Sequence, residues 1–245
     1  MKNIILILVL YLAFISCSKN DEPQPQQQLQ PQESVVKIKT ITRGGGSSTY
    51  TYDSQGRQLK QENSEGSNVT YIYNNNTVIE NNYNAASTLV STYTINLNSD
   101  GLAIKKTLTF PTTTTYIFEY AYNSKKQLVQ EIKKRGNPIT VTSTVEYTYT
   151  ANQLSSKKEY LSDGTLFLTT VFEYFADKSN SMGFKNFGLT FYAEESDFPK
   201  KSEINTFSPT NVITDLYEYL YDSKNRISKR IINGGSDGTN DITYY

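Results

Sequence analysis

The sequence predicts an all-β protein, an antiparallel up-and-down meander of about 14 strands closed wholly or partly into a barrel with a Tyr-rich face. Three observations point there. The first is an internal repeat in which a Tyr-x-Tyr strand runs into a tight turn. The second is alternation with period two, in segments rich in Thr, Tyr, Val and Ile that Gly, Asn and Pro clusters interrupt, which argues against helix. The third is composition: 37% of the residues are hydrophobic, a low share, yet 20 Tyr and 11 Phe raise the aromatic share to 13%. A core built from such a chain is aromatic rather than aliphatic. Tyr suits a half-exposed sheet face because its ring can be buried while its hydroxyl stays wet or bonded.

The repeat starts at Ser34, and its clearest copies are Tyr50-Thr51-Tyr52-Asp53-Ser54-Gln55-Gly56-Arg57 and Tyr219-Leu220-Tyr221-Asp222-Ser223-Lys224-Asn225-Arg226. Weaker copies carry Tyr71/Tyr73, Tyr93/Ile95, Tyr120/Tyr122, Tyr147/Tyr149 and Phe172/Tyr174. Each turn reads as a hairpin. Asp53 opens a type I turn by bonding the backbone two residues on, and Gly56 takes the left-handed position of a three-residue loop. Asn225 stands at the Gly position of the later copy, and Asn tolerates positive φ.

Alternation sorts the strands into an aromatic face and a face of Glu, Lys and Thr. Glu-Tyr recurs at Glu119-Tyr120, Glu146-Tyr147, Glu173-Tyr174 and Glu218-Tyr219, and the following strands carry Lys133/Lys134, Lys157/Lys158 and Lys229/Arg230. Such charges can pair across strands. A meander of this length with one apolar face must close or pack on itself. A membrane-spanning barrel confines its aromatics to girdles, whereas Tyr here runs along strand interiors, so the expected barrel is water-soluble with an aromatic lining.

Composition also excludes chemistry. The chain has no His, one Cys and a net charge of zero from 24 basic and 24 acidic residues. Internal disulfides, thiolate zinc sites and Cys–His pairs are impossible, the usual general base is missing, and nothing resembles a nucleic-acid footprint. No metal and no cofactor is expected, and the chain is read as a monomer.

The N-terminus has a short basic start, Met1-Lys2-Asn3, then an apolar run from Ile4 to Ile15. That run fits the core of a signal peptide and falls short of the roughly 20 residues of a membrane span. It ends in Phe14-Ile15-Ser16-Cys17, which resembles a bacterial lipobox, with Phe14 in place of the usual Leu. The resemblance implies a signal peptide over 1–16, cleavage before Cys17, and lipid attachment at Cys17, with enough acyl chains for stable anchoring. Residues 17–33, Pro/Gln-rich from Pro23, cannot bury enough surface to fold and read as a lipid-anchored tether. Residues 34–245 are the barrel domain. Lys19-Asn20-Asp21-Glu22 resembles the acidic export signal of Bacteroidota lipoproteins, which implies the outer membrane and its cell-surface face, the periplasmic face being the alternative.

One segment breaks the repeat, from Ala176 to Lys200, and it holds Phe184, Phe187, Phe191 and Tyr192. Long loops in compact domains are often functional. The favoured reading is a plug in which Phe184, Phe187 and Phe191 fill the barrel end; in the alternative reading the four aromatics form a candidate binding loop or lid that could stack on a flat ligand. Glu194, Glu195 and Asp197 lack the spacing of an EF-hand.

The string Tyr-x-Tyr-Asp-x-x-Gly-Arg resembles the YD repeat of Rhs-type and teneurin-type β-shells, so a fragment of such a shell is the alternative architecture. Together with the lipobox, the tether and the terminal Tyr244-Tyr245, the chain more closely resembles a family of Bacteroidota lipoproteins with a porin-like β-barrel fold and no assigned activity. That resemblance covers most of residues 34–245, implies the barrel, and brings no catalytic residues with it.

Function is therefore read as non-enzymatic: a lipid-anchored surface protein that binds a glycan or a partner protein, or acts as a scaffold. The alternative is a carrier of an apolar ligand inside the barrel. A carboxylate-based glycan hydrolase ranks below both, because it requires two converging acids.

Overall fold

The computed structural model describes residues 35–110, 115–193, 196–208, 210–235 and 238–245. The signal peptide, Cys17, the tether, Glu194 and Glu195 lie outside the described residues. Sixteen strands follow one another in the chain: β1 (Ile38–Arg43), β2 (Gly46–Tyr52), β3 (Gln58–Asn63), β4 (Asn68–Asn74), β5 (Thr77–Tyr83), β6 (Leu89–Leu97), β7 (Ala103–Thr109) and β8 (Thr115–Tyr122), then β9 (Leu128–Arg135), β10 (Thr140–Thr150), β11 (Gln153–Leu161), β12 (Leu166–Tyr174), β13 (Lys200–Ser208), β14 (Asn211–Tyr221), β15 (Ile227–Gly234) and β16 (Gly238–Tyr244). Each pairs antiparallel with its chain neighbours, and β1 closes the barrel on β16, with Ile38 opposite Tyr244 and Ile41 opposite Ile242. Closure leaves no edge strand to template aggregation.

The expected meander is present, with sixteen strands where about 14 follow from doubling the Tyr-x-Tyr copies. The difference is the seam. β1 has no Tyr pair and β16 has a single Tyr244 at its end, so neither is legible as a copy, yet together they close the ring.

The turns fold as their residues dictate. Asp53 Oδ1 accepts from the backbone N–H of Gln55 and of Arg57, both at 2.9 Å, and Arg57 Nε donates to Asp53 Oδ2 at 2.6 Å. Asp222 holds Lys224 and Arg226 in the same way. Gly56 (φ +73°) and Asn225 (φ +57°) both occupy the left-handed position.

A β-bulge lies beyond both turns, and the same slip recurs in other strand pairs. The register slips at Thr51/Tyr52, Asn96/Leu97, Ala121/Tyr122, Thr148/Tyr149, Glu173/Tyr174 and Leu220/Tyr221. The extra residue inverts the alternation of the returning strand. Hence Ile227 and Ile232, an odd number of positions apart, are both buried.

Three second Tyr residues of the repeat, and Tyr244 at the seam, share a kind of partner. Tyr52 donates its hydroxyl to the Ile38 carbonyl at 2.6 Å, Tyr73 to Gln58 at 2.9 Å, Tyr122 to Ala103 at 2.6 Å and Tyr244 to Ile227 at 2.8 Å. In every case the acceptor is the first residue of the adjacent preceding strand (β1, β3, β7 or β15). At these four places the hydroxyl ties together two strands that no short turn joins at that end, which gives Tyr there a role that Phe cannot take. Arg57 and Arg226 lie over Tyr73 and Tyr244 at 4.4 and 4.6 Å, so the turn Arg covers a neighbouring ring.

The outer face carries Thr, ion pairs and scattered apolar residues. Lys134–Glu119 (2.7 Å), Lys229–Asp241 (3.2 Å) and Lys201–Glu173 (3.5 Å) lie on it, beside exposed Ile72, Leu216 and Leu220.

Candidate functional site

The barrel end where odd strands begin and even strands finish is closed by the β12–β13 connection, residues 175–199. This segment folds inward and replaces missing ladder partners. The amide of Ile38 donates to the Asn186 carbonyl (3.1 Å), that of Gln58 to Gly188 (3.3 Å) and that of Ala103 to Phe191 (2.9 Å). The Asn186 side chain donates to the Val36 carbonyl at 2.9 Å, and Ser181 accepts from the Ile227 amide at 2.9 Å. Gly188 permits the closest approach. A Cβ there would stand 2.6 Å from both the Gln58 nitrogen and the Gly56 oxygen, at a φ of +71° that already favours glycine.

The four aromatics singled out from the sequence all lie on this plug, and the structure separates their surroundings. Phe191, 3% exposed, packs with Val78, Ile95 and Ala103. Phe187 meets Tyr50 edge to face at 5.3 Å, beside Ile38 and Ile242. Phe184 and Tyr192 contact each other at 5.3 Å, and Tyr192 leans on Phe191 at 4.6 Å. Two apolar clusters, one on each side of the barrel, are therefore each completed by the plug.

Between the clusters the interior is neither filled nor hollow. The first cavity, about 400 Å³, has Tyr50, Phe184, Phe187 and Tyr219 on its walls, with Gln58, Gln61, Lys200 and Arg230 among them. The second, about 330 Å³, is lined mostly by Tyr120, Tyr122, Tyr147, Tyr149 and Tyr192, and Glu131 is the carboxylate on its wall. Phe184 borders both. Cavities of this size, aromatic with a few polar groups, are what small ligands occupy.

The interior is charged as well as aromatic. The paired basic residues straddle the sheet: Lys134 is outside with Glu119, while Lys133 reaches Glu159 at 2.9 Å, which also accepts from Ser143 at 2.8 Å. The expected separation into a Tyr face and a Glu/Lys face is corrected accordingly: adjacent strand residues point to opposite faces, so each basic pair sends one member inside, and the bulge sets which one. Lys106 lies 3.5 Å from Glu80 and 3.8 Å from the Tyr93 ring centre, and donates to the Tyr192 hydroxyl at 3.1 Å. Burial pushes the Lys106 ammonium below its ordinary range, with Glu80 opposing. Partial burial pushes the Glu159 carboxyl up, but hydrogen bonds from Lys133 and Ser143 and the lysine charge outweigh it and hold it below its ordinary value. Burial raises the Tyr122 hydroxyl to about 12, with Tyr149 and Glu131 adding to the shift, and drives Tyr71, Tyr120 and Tyr192 higher still.

Sequence reasoning did not single out Gln58 or Lys106, and it assigned Arg230 to the charged face. For Lys106 and Arg230 the signal was present in the turn, since a hairpin with Gly101 or Asn225 in the left-handed position is followed by a bulge that turns the basic residue inward. Among the described residues no cluster of three or more acidic, His or Cys side chains could hold a metal.

No protein-family model matches the chain, and no curated protein matches it. Solved structures do. A porin-like protein from Bacteroides uniformis superposes with a TM-score of 0.63 at 14% identity, covering 86% of this chain and 98% of that one. A porin-like protein from Bacteroides vulgatus superposes with a TM-score of 0.59 at 9% identity, covering 85% and 99%. The class defined by these findings is a closed antiparallel β-barrel. Within it, this chain has the porin-like fold of the two Bacteroides proteins, and at such identities the likeness concerns fold alone.

Proposed function

We propose that this protein is a lipid-anchored, surface-displayed lipoprotein that acts without catalysis, binding a small ligand, such as part of a glycan, in the plugged end of its barrel. It belongs by this reading with the Bacteroidota lipoproteins whose lipobox, tether and degenerate Tyr-Asp hairpins it resembles. The observation that carries the reading is the first cavity, where polar groups and aromatic rings of barrel and plug converge on one space. The binding-loop aromatics Phe184 and Phe187 thereby act as walls of a site rather than as a free lid.

Two further features support parts of the reading. Ion pairs such as Lys134–Glu119 and Lys229–Asp241 on the outer face favour water around the barrel, since a cation at the bilayer midplane costs about 2–4 kcal/mol. Anchoring then falls to Cys17. Against a hydrolase, the inward carboxylates are occupied: Glu80 by Lys106, Glu159 by Lys133, Glu203 by Lys200 and Glu131 by the Tyr147 hydroxyl. A pair of carboxylates facing one cavity, the arrangement a glycosidase requires, is not among the described lining residues.

The apolar-carrier reading draws on the second cavity, whose walls are nearly all Tyr rings and Leu. Native mass spectrometry of the protein purified from cells that export the full chain separates the two. A polar mass bound reversibly supports the leading reading, a lipid-like mass the carrier. Repeated failure to find bound mass, with no response on a glycan array, overturns the binding reading.

A further inference from the structure

The first cavity contains polar groups that the protein itself leaves unpaired. Gln58 is 1% exposed, and its Oε1 accepts from no donor among the described residues. Its backbone is held rigidly, the amide by Gly188 of the plug and the carbonyl by the Tyr73 hydroxyl, so the side chain cannot leave the wall. Across the same cavity stands Arg230, whose Nε–H is buried and meets no acceptor. Lys200, the other cation on the wall, has Glu203 at 3.3 Å and the Phe172 ring at 4.7 Å. Arg230 has no such arrangement: among the described residues no carboxylate forms an ion pair with it. Asp215, further along β14, has a partner of its own.

A buried donor and a buried acceptor left open each cost free energy that a fold avoids unless something else satisfies them. Both residues line a space of about 400 Å³ with rings on its walls. We propose that this cavity takes a small organic acid, a hydroxylated ring bearing a carboxylate. The guanidinium of Arg230 is a planar fork of N–H donors that matches a carboxylate in bidentate geometry. Gln58 Oε1 requires a donor, which a ring hydroxyl supplies. The edge-to-face pair Tyr50–Phe187 offers a ring face for stacking. The second cavity sharpens the assignment by contrast, because its wall has the carboxylate of Glu131 and no cation, and it would repel the same ligand.

This inference rests on the binding reading above and narrows it to one charge and one cavity. The ring can be a saturated sugar acid or an aromatic acid, and the test distinguishes them. The protein purified from exporting cells is titrated calorimetrically with D-glucuronate and with 4-hydroxybenzoate, each beside its neutral twin, glucose and 4-hydroxybenzyl alcohol. The expected result is that at least one acid binds about ten- to a hundredfold more tightly than its twin, the range a charge-assisted hydrogen bond contributes. Arg230→Gln should abolish that preference, and Gln58→Leu should weaken acid and twin alike while leaving the preference intact. The acid–twin comparison is made on the unaltered protein, so it stands even if a variant folds poorly. Equal binding of acid and twin overturns the anion assignment but leaves the binding reading standing. An acid preference that survives Arg230→Gln moves the site elsewhere and overturns it too. No binding of any of the four, in a protein that carries a neutral or lipid-like mass, overturns the assignment; no bound mass at all overturns both.

Discussion

Replacing Phe191 with Ala tests whether the plug is a separable unit docked in a barrel that stands without it. The ring is 3% exposed and wedged among Val78, Ile95 and Ala103. Truncating such a ring costs about 3–5 kcal/mol, from lost transfer energy and from the cavity left behind. All sixteen strands pair with each other independently of the plug, so this loss falls mainly on plug docking. Three barrel amides report on docking directly, because Ile38, Gln58 and Ala103 donate to plug carbonyls rather than to a neighbouring strand. At about 1.4 kcal/mol per decade, their hydrogen exchange in Phe191→Ala should accelerate by about a hundredfold to a few thousandfold. Ladder amides of the β9–β10 pair should keep their protection. Measured by native-state exchange with mass spectrometry or NMR, uniform acceleration of all amides would show one cooperative unit and refute the reasoning. Unchanged exchange at Ile38, Gln58 and Ala103 would refute it as well.

Other expectations follow from the same geometry. Gly188→Ala should also undock the plug, since its Cβ would meet the Gln58 nitrogen and Gly56 oxygen at 2.6 Å; a melting temperature and exchange pattern equal to the parent's would contradict this. Tyr122→Phe leaves the Ala103 carbonyl without the hydroxyl that reaches it at 2.6 Å, and should cost about 1–3 kcal/mol in urea unfolding, whereas no loss would mean that water substitutes. Alkali should act on the same bond. The Tyr122 hydroxyl is raised from 10.0 to about 12, so its contribution is complete below pH 10 and lost as pH climbs toward 12, readable as phenolate absorbance rising together with unfolding. Glu159 has the opposite sign: held below 4.5, it supports the fold above that pH and ceases to as pH falls further, an acid loss that Glu159→Gln should flatten. Cys17→Ser should move the exported protein from the membrane fraction to the soluble fraction, and membrane retention of that variant would refute lipid anchoring.

Much of the fold was legible because turn and strand chemistry are local. Asp53 and Asp222 announce their hairpins through bonds to amides two and four residues on, and Gly56 and Asn225 announce the left-handed residue. The Tyr pairs announce a face, since alternation puts Tyr50 and Tyr52 on the same side. The seam was less visible, because β1 and β16 are defined by pairing with each other, a contact between the two ends of the domain. The plug loop was visible as an interruption of the repeat, but whether its rings face solvent or barrel depends on backbone bonds from Ile38, Gln58 and Ala103, residues far away in the chain.

The interior charges were obscured for a different reason, one that bears on the candidate site. Period-two reading carried across a hairpin assumes that the returning strand keeps its phase. The bulges break that assumption, so Ile227 and Arg230, three positions apart, lie on the same side as Tyr221 and Tyr219, which oppose them. Read without the bulge, alternation from the inward Ile227 puts Lys229 inside and Arg230 outside. Read with it, Lys229 is outside with Asp241 and Arg230 lines the cavity with Gln58. The same phase shift follows the Asp53 turn and brings Gln58 and Gln61 inward together. Both sides of the proposed site are thus products of one local device, a hairpin whose left-handed residue is followed by an extra residue in the strand. Deleting the extra residue, Leu59 on one side or Ser228 on the other, should leave Gln61 opposite Tyr50 or Arg230 opposite Tyr219, and so still facing the cavity. Such a deletion should keep the ligand preference that Arg230→Gln loses, and loss of binding by well-folded deletion variants would refute the role assigned to the bulge.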